Sequence, residues 1–206
     1  MSPGTRELDR SFFEVRPEVL APRLLGWRLV AGAVAGRIVE VEAYGGADDP
    51  ASHAHRGRTA RNGMMFGPPG HLYVYLIYGM HLCANVVCAP PGTGSAVLIR
   101  AVEVIDGLGA ALAARGPAAS RLGVGDGPGK VCQALSIGRH HDGVDLLDQE
   151  SPVRLLPPDS APTGAHAFTT SCGPRVGISV ATERRWRFAI AGDPNVSRPR
   201  TLTPIA

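Results

Sequence analysis

Gly36-Arg37-Ile38-Val39-Glu40-Val41-Glu42-Ala43-Tyr44 is the stretch that decides how this chain is organised. Strand side chains alternate between faces with a period of two, so Val39, Val41 and Ala43 share one face while Glu40, Glu42 and Tyr44 share the other. An apolar face is ordinary core. A face of two carboxylates and a phenol is not, because burying an unpaired carboxylate is costly. Those acids are either solvated on a sheet edge or part of a site, and this stretch alone leaves both open.

Upstream, Trp27 to Val30 reads as the partner of that strand in a hairpin turning around Gly32. Residues 1–26 read as helical. Leu8, Phe12 and Val15 lie at helical spacing, and Val19, Leu20, Leu24 and Leu25 follow Pro17, a favoured first-turn residue. Pro22 should kink or divide that second helix, and Gly26 should end it.

Downstream, residues 45–70 are polar and turn-rich, and they gather His53, His55, Arg56, Arg58 and Arg61 into a positive patch. A segment this long without periodicity is either functional or disordered. Strong strands on both sides favour an ordered surface loop. In the next strand Tyr73 and Tyr75 share a face with Ile77, and Tyr78 falls on the other face beside Gly79. All but one of the chain's 4 tyrosines sit there, and the other is Tyr44. An aromatic core and a stacking surface both fit that clustering.

Asn85-Val86-Val87 and a Pro-Gly turn precede a strand over residues 96–103, whose apolar run is broken by Arg100, so a paired role is expected for it. Residues 104–115 read as a helix. Asp126 as N-cap, with Pro128, opens another helix that Gly138 should end, and the N–H groups of such a start can hold a phosphate. Short strands are expected over residues 153–156, 175–180 and 187–190, with an irregular tail from Gly192. No internal repeat or linker divides the chain, and one domain over residues 1–206 is expected.

Composition narrows the function classes. The 206 residues are 44% hydrophobic, in the globular range, with no run of membrane-span length. Residues 1–10 are polar and charged, so no signal peptide is expected. Cys83, Cys88, Cys132 and Cys172 are widely spaced without a CxxC, which fits buried thiols in a reducing cytoplasm. A net charge of +3 permits an anionic partner without demanding one. Of 21 basic residues only Lys130 is a lysine.

The histidines lack the spacing of zinc sites, so no metal is expected. There is no GxSxG elbow, no P-loop and no dinucleotide fingerprint. Asn195-Val196-Ser197 matches a glycosylation acceptor only formally. A carboxylate-bearing strand, a tyrosine cluster and an arginine/histidine loop remain. Aromatics that stack bases and cations that hold phosphates suit an exposed nucleobase, and a nearby carboxylate can activate water.

Several long strings agree at once with one family. Residues 36–44, then residues 49–53 (DPASH), Arg61-Asn62, Met65-Phe66 and residues 70–80 (GHLYVYLIYGM) closely resemble the alkyladenine (3-methyladenine) DNA glycosylases. Asn85-Val86, residues 97–101 (VLIRA), residues 127–135 (GPGKVCQAL) and residues 173–177 (GPRVG) continue the match in order. The resemblance implies an α+β fold: one compact domain with a curved, mostly antiparallel sheet flanked by helices, and no cofactor. It implies excision of damaged purines (alkylated, with deaminated and etheno purines as further candidates) from double-stranded DNA by a monomer. It assigns Glu42 as the base that activates water, Tyr44 as one wall of the base pocket, and His53 with Tyr75 as the other. Asn85 falls at the pocket floor and Arg100 near the pocket and backbone. Tyr78 corresponds to the wedge that fills the gap in the duplex, and Arg61 and Lys130 to DNA-backbone contacts. Asp126 departs from the Asn usual in the family. With a single lysine, direct hydrolysis is expected over Schiff-base chemistry.

Overall fold

A computed structural model describes residues 9–77, 79–158 and 168–205. Asp9 caps a 3-10 turn at Arg10–Phe13, and helix α1 follows at Pro17–Arg23. The expected helical reading of residues 1–26 is therefore interrupted at residues 14–16, and its start lies outside the described residues. Pro22 lies inside α1 near its end, where it removes one i→i−4 donor from this short helix, and Gly26 leaves the helix at φ +83°. The hairpin forms as expected, with β1 (Arg28–Ala31) and β2 (Val34–Tyr44) joined through Gly32 at φ +54°.

The chain continues through β3 (Leu72–Ile77), β4 (His81–Cys88) and β5 (Ser95–Asp106), then α2 (Leu108–Arg115) and α3 (Pro128–Ala134). Strands β6 (Val153–Leu156), β7 (Thr170–Gly173), β8 (Arg187–Ile190) and β9 (Thr203–Pro204) complete it. The strands form one sheet in the order β3-β4-β5-β2-β8-β7-β9, with β1 on β2 and β6 on β1. Every pairing is antiparallel, giving the α+β class expected.

Four expectations are corrected. Residues 104–106 extend β5, because Val104 and Ile105 favour strand and pairing with β2 runs on to Asp106. Gly107 then breaks the strand at φ +70°, where a Cβ would lie 2.1 Å from the Ala33 carbonyl oxygen. Asp126 does not cap α3. Gly127 is the N-cap, and the Asp126 carboxylate accepts instead from Lys130 Nζ at 2.6 Å. That helix stops before Gly138: Ser136 takes φ +53° and Ile137 N–H returns to the Cys132 carbonyl, which closes the last turn. Residues 175–180 form no strand, for a reason found in the site below.

Period-two alternation divides the sheet into two chemistries. Val39, Val41 and Ala43 of β2 join Leu72 and Val74, Ala84 and Val86, and Val97 and Ile99 in one buried cluster with all three helices. The opposite face carries Tyr73 and Tyr75 of β3, Cys83 of β4 and Leu98 of β5 in a second cluster, with Tyr44 against it. Strand β2 lies between β5 and β8, so its acids are central and fully buried, and the sheet-edge reading is excluded.

Burial demands partners. Glu40 Oε1 accepts from Arg187 Nε at 2.6 Å, Arg100 Nε at 3.0 Å and Ser197 Oγ at 3.0 Å, and Oε2 accepts from Ser197 N–H at 2.7 Å. Arg187 also donates to the carbonyls of Ser197 and Pro199, which fastens the C-terminal segment to the sheet. Removing one partner of a buried ion pair costs about 3–5 kcal/mol. Arg187→Met should therefore destabilise the protein by about that amount in urea unfolding. A loss below about 1 kcal/mol, the scale of an exposed pair, would contradict this role.

Candidate active site

The site face of the sheet opens into a cavity of about 310 Å³. That is at the small end of ligand pockets and suits one compact ring system. Tyr44, His53, Tyr75, Asn85 and Arg100, five of the residues singled out from sequence, line this one cavity. Glu42 lies behind the wall, wholly buried, between three lining residues. Its Oε2 accepts from the Tyr44 hydroxyl at 2.9 Å and lies 3.3 Å from Arg100 Nη1, and its Oε1 accepts from the Val176 N–H at 2.7 Å.

Arg100 reaches both acids because the ladder is irregular here. Ile38 opposes Val102, Glu40 opposes Ala101 and Val41 opposes Ile99, so Val39 and Arg100 have no opposite number. Such bulges re-aim side chains. Nε of Arg100 bonds Glu40, Nη1 meets Glu42 and Nη2 donates to Ser197 Oγ at 3.3 Å.

The donors around them separate the two acids. A carboxylate offers about four acceptor sites. Glu40 holds four donors, three on Oε1 and one on Oε2, all from the buried Arg100, Arg187 and Ser197. Glu42 has two hydrogen bonds and the Arg100 contact, which leaves capacity for one further donor such as water. Burial pushes the Glu42 carboxyl above its ordinary range, against the opposing pull of Arg100, the Val176 N–H and the Tyr44 hydroxyl. Burial, followed by the charge of Glu42, also raises the Tyr44 phenol, so it stays protonated and can donate.

The aromatic walls are in mutual contact. The His53 ring meets Tyr75 edge-on with centroids 4.4 Å apart, and Tyr75 stacks with Tyr73 at 5.4 Å. Desolvation of the ring against this wall, then the charge of Arg61, lower the His53 proton affinity, although the residue is exposed overall. Tyr73 and Cys83 are lining residues that sequence reasoning did not assign. Asn85 is buried and its amide nitrogen donates to the Tyr73 carbonyl at 3.1 Å.

The loop carrying His53 is ordered by two anchors. Asp49, fully buried, accepts a fork from Arg175 at 2.6 and 2.8 Å, and Arg175 also donates to the Ala43 carbonyl at 2.9 Å. Burial alone would raise the Asp49 carboxyl, but Arg175 and the Gly45 N–H hold it below its usual value. Asn62, also buried, donates to the carbonyls of His53 and Gly57. The Arg175 guanidinium lies 4.7 Å from the Tyr44 ring centroid, so one side chain braces the wall, the loop and the start of the 176–178 segment. Within residues 175–180 the Val176 N–H is given to Glu42 instead of a strand ladder, while the Arg175 guanidinium holds Asp49 and the Ala43 carbonyl. Their alternating pattern carried no sign of that, although GPRVG stood among the family strings.

The remaining candidates lie elsewhere. Arg61 is exposed and donates to the Leu76 carbonyl at the end of β3, and Lys130 is paired with Asp126. Tyr78 lies outside the described residues. Among the described residues no cluster of His, Cys, Asp or Glu is placed to hold a metal ion, and no helix is long and apolar enough to cross a membrane. All four cysteines are free and buried.

Asp49→Ala should strand the Arg175 charge, cost about 3–5 kcal/mol, and let trypsin cut at exposed Arg56, Arg58 and Arg61 faster than in the native protein. An unchanged cleavage rate would contradict the anchoring role.

Comparison with known proteins adds a lineage to this geometry. The family described as Methylpurine-DNA glycosylase (MPG) matches residues 11–194. A Burkholderia lata protein named "Putative 3-methyladenine DNA glycosylase" is 49% identical over 195 residues, covering 94% of this chain and 92% of its own. Relatives bearing the same name come from Burkholderia cenocepacia (46% over 196 residues, 95% and 92% covered) and Mycobacterium tuberculosis (44% over 191 residues, 90% and 91% covered).

Proposed function

This chain belongs to the methylpurine-DNA glycosylase family, and we propose that it excises alkylated purines from duplex DNA by hydrolysing the N-glycosidic bond. The observation that carries this reading is Glu42, a buried carboxylate of raised proton affinity with one acceptor position open, set behind an aromatic cavity. Water held by Glu42 attacks C1′ of the deoxyribose and gives up its proton to the carboxylate. The C1′–N bond breaks with its electron pair going to the base, and an abasic site remains for base excision repair.

Extruding a nucleotide costs a few kcal/mol, least for a damaged base. Stacking on aromatics returns roughly 1–3 kcal/mol per base, so Tyr44 on one side and His53 with Tyr75 on the other can offset that cost. A methylated, cationic purine also gains cation–π attraction and departs without prior protonation. Neutral deaminated or etheno purines need a proton on departure. Asn85 at the cavity floor crowds the exocyclic group of a normal guanine. Tyr78 is assigned the wedge that fills the vacated stack, and Arg61 and Lys130 the backbone phosphates, which makes affinity fall with salt.

Lys130, the single lysine, is held by Asp126 and does not line the cavity, which supports hydrolysis by water over amine catalysis. We take the protein to act as a monomer, and buried free thiols are in keeping with a reducing, cytoplasmic setting.

Glu42→Gln should keep affinity for lesion-containing duplex and lose about 10²–10⁴-fold in single-turnover base release, the usual worth of a general base. Release near the native rate would sink the assignment, and native protein that binds without forming abasic sites would be a lesion-binding module. Protonation removes the base, so release should fall as pH drops. Because burial raises the Glu42 carboxyl above its ordinary 4.5, the fall should begin at higher pH than an exposed glutamate gives. A native profile flat through that acid range would contradict the role.

A further inference from the structure

We propose that Glu40 is a positioning residue for the hydrolytic base: by engaging Arg100 it prevents that guanidinium from closing fully onto Glu42. This rests on the reading of Glu42 as the base. Arg100 is a fork with two acids in reach, and the distances show how it divides. Its Nε makes a hydrogen bond of 3.0 Å to Glu40, while Nη1 stands 3.3 Å from Glu42. Ser197 Oγ holds the third nitrogen, and Ser197 also donates through its N–H and hydroxyl to Glu40. Glu40 is thus the centre of a wholly buried cluster that turns Arg100 toward itself.

The groups facing Glu42 give the sign of the effect. Its own strand supplies Glu40 and the Tyr44 hydroxyl, and β5 supplies Arg100. Arg187 of β8 stands opposite Glu42 in register but is bonded to Glu40. The loop after β7 supplies the Val176 N–H and the nearby cation Arg175, and Tyr75 and Cys83 approach from β3 and β4 as neutral groups. Deleting the Glu40 charge removes the one anion among these and releases Arg100 toward Glu42. A bidentate Arg100–Glu42 pair would occupy the open acceptor position and make the carboxylate a weaker base.

The test measures single-turnover release of 7-methylguanine from duplex DNA across pH for native protein, Glu40→Gln and Glu42→Gln. A cationic base needs no protonation, so the acid limb reports Glu42. Glu40→Gln should lower the plateau rate and move the acid limb to lower pH, retaining roughly threefold to tenfold more of its own plateau below the native midpoint. A merely structural Glu40 would reduce the active fraction and leave the limb in place, and an unmoved or raised limb overturns the proposal. If Glu40→Gln fails to fold, Glu40→Gln/Arg187→Met removes one buried charge of each sign, and the same downward shift is expected with the same contrary result. Retained release by Glu42→Gln would overturn the base assignment itself, whereas an inactive Glu42→Gln beside an unmoved Glu40→Gln limb overturns the Glu40 role alone.

Discussion

One arginine serving two carboxylates is the constraint from which the rest of this structure follows. Glu40 and Glu42 sit on one face of a central strand with no exposure, where each ion carries a desolvation penalty of several kcal/mol. Arg100 can reach both because the β2–β5 ladder slips at Val39 and Arg100. Arg187 and Ser197 then complete Glu40, and this draws the C-terminal segment across the sheet. Glu42 is completed by groups that belong to the cavity wall, Tyr44 and Val176. The two acids look equivalent in sequence, and their partners separate them: Glu40 is held by Arg100, Arg187 and Ser197, and Glu42 by groups of the cavity wall and one contact from Arg100.

A second buried pair does for the loops what Arg100 does for the strand. Asp49 and Arg175 are 126 residues apart in sequence and meet through two short bonds. Asp49 lies four residues before His53, and Arg175 immediately precedes the residue whose N–H holds Glu42. Tyr44 is braced by the same guanidinium. The two walls of the cavity and the carboxylate behind them are therefore positioned by buried charge pairs.

Much of this was legible in the sequence because strands state their faces. The alternation of Val39, Val41 and Ala43 with Glu40, Glu42 and Tyr44 gave both the core side and the site side, and Tyr73 and Tyr75 behaved likewise. Helix ends were less legible. Asp126 has cap chemistry, yet its carboxylate serves Lys130, and Ser136 takes a left-handed turn that its side chain does not announce. The segment from Arg175 was the main misreading: it alternates like a strand, but its polar groups answer to partners more than 125 positions away. Long-range pairing of that kind leaves no local periodicity to read.

The most direct measurement is a crystal structure of the protein with a duplex carrying one alkylated purine and an uncleavable sugar. The expected result is the purine stacked between Tyr44 and the His53–Tyr75 wall, with a water in hydrogen-bond contact with Glu42 and in line with C1′. A purine bound outside this cavity, or a C1′ approached by no water on Glu42, would contradict the assignment of the two acids.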